Sequence, residues 1–91
     1  MYSKFGQFIE GKWQQAEKNE TYDVINPATE DVIGKASKAS SVDVQKALKS
    51  AEKGLEVWKN TAPWQRSYVL RKIADLMRER KDVLAKWLTL E

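Results

Sequence analysis

The sequence predicts an α+β chain in which β-hairpins come first and two α-helices follow. Residues 5–36 hold short apolar pairs separated by Gly, Asn and Pro, whereas residues 41–91 repeat apolar side chains every three or four positions. A third observation bounds the architecture. At 91 residues, 42% hydrophobic and 32% charged, the chain has room for one small domain and the composition of a globular one.

In the first third, Phe8-Ile9 and Lys12-Trp13 flank Glu10-Gly11. Gly supplies the positive φ of a tight turn, so this is a small hairpin. Polar Gln14 to Glu20 connects it to an extended run, Thr21-Tyr22-Asp23-Val24-Ile25. Asn26-Pro27 ends that run, because Pro fixes φ and holds its predecessor extended. A turn through Ala28 to Asp31 returns the chain to Val32-Ile33-Gly34-Lys35-Ala36, which pairs most simply with residues 21–25.

Helix A is predicted over residues 41–60. A serine at 40 or 41 can accept a free first-turn N–H, and Asp43 suits the positive end of the helix dipole. Val44, Ala47, Leu48, Ala51, Leu55 and Trp58 form its apolar stripe. Helix B is predicted over 63–91, with Thr61 or Ala62 near the N-cap and Pro63 in the first turn, where its missing N–H costs nothing. Val69, Ile73, Leu76, Met77, Val83, Leu84, Trp87 and Leu88 keep one face of it apolar.

Such a rod would be about 42 Å long at ~1.5 Å per residue, whereas a compact chain of this size is about 30 Å across. It also reaches Trp87-Leu88-Thr89-Leu90-Glu91 without a Gly, Asn or Pro stop. The expectation is a truncated chain, whose final helix is shaped to lie against further polypeptide. The competing expectation is a self-contained dimerisation module using Ile73, Leu76, Val83, Leu84 and Leu88.

Composition excludes much chemistry. With no Cys and no His, the chain lacks thiolate nucleophiles, disulfides, the usual general base and the commonest transition-metal ligands. A net charge of +3 demands neither nucleic acid nor an anionic membrane as partner. No apolar run spans a bilayer and Met1-Tyr2-Ser3-Lys4 leads into no signal-peptide core, so a cytoplasmic location is expected.

Three apparent motifs fail on inspection. Gly6-Gln7-Phe8-Ile9-Glu10-Gly11-Lys12 has the spacing of a phosphate-binding loop, but Trp13 stands where a hydroxyl must reach Mg²⁺. Ser50 and Lys53 match a serine-lysine nucleophile pattern, yet the chain's serines and lysines produce about one such pair by chance. Arg66, Arg71, Lys72, Arg78, Arg80, Lys81 and Lys86 lie near Trp64, Tyr68 and Trp87, as in nucleic-acid binders. Asp75, four residues from Arg71, and Asp82, four from Arg78 and Lys86, predict a solvated ladder of ion pairs instead.

Read together, Phe8-Ile9-Glu10-Gly11-Lys12-Trp13, then Val24-Ile25-Asn26-Pro27-Ala28-Thr29-Glu30-Asp31-Val32-Ile33-Gly34, then Val42 to Ala47, resemble the N-terminal part of the aldehyde dehydrogenase superfamily. The resemblance continues through Trp58, Arg66, Leu70, Ile73-Ala74-Asp75-Leu76 and Leu88-Thr89-Leu90-Glu91, the last resembling the succinate-semialdehyde branch. It implies that residues 1–91 are an N-terminal segment of a cofactor-binding domain, part of an α/β dinucleotide-binding fold in the parent. It implies an NAD- or NADP-dependent parent that oxidises an aldehyde to a carboxylic acid through a cysteine nucleophile and a glutamate that activates water. It further implies a homo-oligomer whose remaining polypeptide is this segment's partner. No catalytic or cofactor-binding role falls on a residue of this chain, and no cofactor is expected to bind it alone. One carry-over is implied: the carbonyl of Ile25, before Asn26-Pro27, as one ligand of a monovalent-cation site whose carboxylate lies elsewhere.

Overall fold

The computed structural model describes residues 6–91. Residue 5, where the hairpin segment was expected to begin, and Met1 to Lys4 lie outside the described residues. The described order is β1 (Gln7–Ile9), β2 (Lys12–Gln14), β3 (Thr21–Ile25), β4 (Val32–Ser37), α1 (Ser41–Lys59), α2 (Pro63–Glu79) and α3 (Lys81–Leu90). The hairpins do not join into a meander: β1 pairs with β2 and β3 with β4, as two separate antiparallel sheets.

In the first hairpin Ile9 faces Lys12, which leaves Glu10 and Gly11 as a two-residue turn with φ of 54° and 74°. Positive φ at both positions is the type I′ pattern, whose twist matches that of the strands. Gly11 takes it freely; Glu10 does not, and this is the less expected half of the turn. Phe8 and Trp13 are cross-strand partners with ring centroids 5.1 Å apart at 57°. Gly6 is demanded for another reason, because a Cβ there would collide with the Gln14 carbonyl.

The second hairpin is closed by hydrogen bonds within its own turn. Asn26 N–H donates to the Asp31 carbonyl at 2.9 Å, Glu30 N–H donates to the Asn26 carbonyl at 2.8 Å, and Asn26 Oδ1 accepts from Ala28 N–H at 3.0 Å. The last bond is an Asx-turn, which suits an Asn directly before Pro. Register passes from Val24 opposite Gly34 to Ile25 opposite Val32, so Ile33 is the extra residue of a β-bulge.

Ser40 caps α1 in a capping box: its hydroxyl accepts from the Asp43 N–H while the Asp43 carboxylate accepts from the Ser40 N–H. α2 begins with Ala62 at the N-cap and Pro63 at the first helical position, as expected. The single rod expected over 63–91 is instead two helices. At Arg80 the backbone leaves helical geometry (φ −101°, ψ 14°), and α3 restarts at Lys81 with Asp82 in its first turn. No Gly or Pro marks the break. Beyond the break, Leu84 and Trp87 of α3 line one open cleft together with Trp13 and Tyr22 of the hairpins. Asp82, placed at the positive end of a new helix dipole, is the local feature that agrees with a restart.

Little of this is interior. The accessible surface is 7651 Å², against about 5,400 Å² for a compact monomer of this mass. The radius of gyration is 16.5 Å, against about 12 Å for a compact chain of this length. Ala16 is the one apolar residue buried among the described residues, with Asp43 the one buried charged residue.

Candidate functional site

The most extensively hydrogen-bonded polar cluster among the described residues lies where the connector between the hairpins meets the start of α1. Both carboxylate oxygens of Asp43 accept from the Glu17 N–H, at 3.1 and 3.2 Å. Oδ2 also accepts from the Ser40 N–H at 2.8 Å and lies 3.1 Å from the Ser40 hydroxyl, which itself lies 2.8 Å from Glu17 Oε2. The Ser40 N–H, first among these donors, holds the Asp43 carboxyl below its ordinary value; burial opposes it, and Glu17 N–H, the Ser40 hydroxyl and Gln7 reinforce it. The cluster is a clasp. It fixes the connector that follows Ala16 to α1, with the Glu17 and Ser40 N–H groups both spent on the Asp43 carboxylate.

The second feature is apolar surface. The α1 stripe expected to face a core is exposed: Val44, Leu48 and Leu55 are each about half accessible. On α2 and α3, Val69, Leu70, Ile73, Met77, Val83 and Leu88 are also exposed, Leu88 to 81%. The break at Arg80 separates Ile73 and Leu76 from Val83, Leu84 and Leu88, so the dimerisation stripe read from the sequence is not one continuous helix face. Two open clefts are cut into this surface. One, of about 550 Å³, runs between Trp13, Tyr22, Leu84 and Trp87; the other, of about 460 Å³, runs along α2 beside Arg66 and Leu70.

The apparent motifs resolve structurally. Phe8 to Lys12 is a β-hairpin with no helix after it, so its backbone offers no phosphate cradle. Lys53 pairs with Glu10 at 3.3 Å, tying α1 to the first hairpin across 43 positions rather than serving Ser50. Of the ladder expected on helix B, Asp75 pairs with Arg78 at 2.9 Å instead of Arg71. Ile25 ends β3 half exposed at the bulge. The next oxygens along its turn are committed internally, the Asn26 and Asp31 carbonyls and Asn26 Oδ1 all accepting backbone N–H groups. Among the described residues no group of three His, Cys, Asp or Glu side chains could hold a metal. No described helix is long and apolar enough to cross a membrane.

Comparison identifies the architecture to which these hairpins, the Asn-Pro turn and the helices with exposed apolar faces belong. The family model for the aldehyde dehydrogenase family matches residues 13–91. Succinate-semialdehyde dehydrogenase [NADP(+)] 2 of Schizosaccharomyces pombe is 42% identical over 84 residues, covering 92% of this chain and 17% of that protein. Betaine aldehyde dehydrogenase of Staphylococcus aureus, solved with NAD⁺, superposes with a TM-score of 0.87 at 31% identity, over 92% of this chain and 18% of that one. Succinate-semialdehyde dehydrogenase of Burkholderia pseudomallei gives the same TM-score at 30% identity, over 91% of this chain and 17% of that one. The chain belongs to the aldehyde dehydrogenase family, and spans about a sixth of the length of these relatives.

Proposed function

We propose that these residues are a scaffold segment of an NAD(P)-dependent aldehyde dehydrogenase, seated on dehydrogenase polypeptide outside them and inactive alone. The observation that carries this reading is the uncovered apolar surface of α1, α2 and α3, on a chain whose hairpins and α1 cap are otherwise well formed. Aldehyde oxidation in the family needs a thiolate, and none of the 91 residues is Cys. A bound dinucleotide supplies the hydride acceptor. No residue here fits the role of holding it, since the phosphate-loop spacing from Gly6 to Lys12 runs through a hairpin and Gly34-Lys35 lies within β4. What the chain contributes is position: the clasp at Asp43 and the Lys53–Glu10 pair hold the first hairpin and connector against α1.

The likeness to two succinate-semialdehyde dehydrogenases favours succinate semialdehyde as the parent's aldehyde; we further propose that the parent is a cytoplasmic homo-oligomer. The Ile25 carbonyl is assigned as one ligand of a monovalent-cation site completed by other polypeptide. The test is a chimera in which this chain replaces the matching segment of the S. pombe relative. NADP⁺ reduction with succinate semialdehyde is expected from the chimera and not from the isolated chain. Turnover by the isolated chain, or a chimera that never assembles, overturns the reading.

A further inference from the structure

The cleft along α2 combines an apolar floor with unanswered positive charge. Pro63, Leu70 and Ala74 line it together with Arg66, Ser67 and Arg71. Arg66 is half-buried, and its Nε is closed off from solvent with no acceptor. Neither Arg66 nor Arg71 forms an ion pair among the described residues, and Asp75, on the same helix, is taken by Arg78. A buried donor without a partner is costly, and such groups in native proteins almost always find one. A guanidinium lined up over an apolar strip is suited to a carboxylate approached in a fixed, two-bond geometry.

We propose that this α2 cleft docks an acidic segment of the dehydrogenase polypeptide outside these residues, with apolar side chains on Leu70 and Ala74 and a carboxylate on Arg66. Charge complementarity selects an acidic occupant over the same face of a second copy, which carries Arg66 and Arg71 itself and no carboxylate. The inference rests on the scaffold reading and names the chemistry of its partner.

Arg66→Met, Arg66→Lys and, as a control on exposed α1, Lys49→Met are placed both in the S. pombe chimera and in the isolated chain. The expected result is a melting temperature lowered by several degrees in the Arg66→Met chimera and by less in Arg66→Lys, with Lys49→Met unchanged. Helix content of the isolated chain is expected to be the same in all variants. An unchanged Arg66→Met chimera overturns the docking proposal while leaving the scaffold reading intact. Equal loss in the isolated chain overturns it too, because Arg66 would then act within the segment. A wild-type chimera that does not assemble removes the scaffold reading and this proposal with it.

Discussion

At Asp43 one carboxylate collects N–H groups from positions 23 residues apart in the chain, Glu17 and Ser40. Its lowered pKa has a defined sign. In the unfolded chain the carboxyl titrates at its ordinary value of 3.8, and in the folded chain below it. The clasp's contribution is therefore complete above the ordinary value and is lost as pH falls through the lower, folded one. Asp43→Asn is expected to remove this part of the acid transition and to speed amide exchange at Glu17 and residues 40–43, measured by hydrogen exchange against pH. Gly6 offers a second residue-scale test: Gly6→Val must push the chain away from the Gln14 carbonyl, at a cost of roughly 1–3 kcal/mol. Loss of the β1–β2 cross-strand signals in NMR would register it. The cap was legible in Ser40-Ser41-x-Asp43, whereas the grip on Glu17 was not, because nothing in a polar connector announces which distant carboxylate its N–H will meet.

Among the elements, both hairpins and the starts of α1 and α2 follow from signals that act within a few residues: Glu10-Gly11, Asn26-Pro27, Ser40 and Pro63. The division of helix B does not. Every residue from Arg78 to Asp82 is compatible with helix, so the local signal is continuous, and the break brings α3 to the cleft it shares with the hairpins. Leu84 and Leu88 separate the two influences. Leu84 borders the cleft against the hairpins at 41% exposure, while Leu88 stands 81% exposed. Leu84→Ala is expected to weaken the seating of α3 by about 1 kcal/mol, and Leu88→Ala to change it by less than about 0.5 kcal/mol in the isolated chain. Exchange protection over residues 81–90 measures both.

Over the whole molecule, the surface in excess of a compact monomer is about 2,200 Å², more than the ~800 Å² each partner buries in a standard interface. An isolated sample is expected to bind a hydrophobic dye, to sediment with concentration-dependent association, and to melt over a broad range. A sharp melt from a discrete monomer that ignores the dye would contradict the exposed faces of α1 and α2. The apolar stripes were legible as stripes from their spacing at Val44, Leu48 and Leu55. Periodicity shows which side of a helix wants cover, and it is silent on whether the cover lies within the same 91 residues.

The molecule measures 47 × 34 × 17 Å, and its shortest dimension is under two helix diameters. A plate that thin behaves as veneer: almost every side chain reaches one broad side or the other. Pressures on its sequence then come from the substrate it is glued to more than from its own cohesion. A randomised library of the plate, screened first alone and then on its backing, would map that glue line residue by residue, as the set of positions tolerant in the first screen and intolerant in the second.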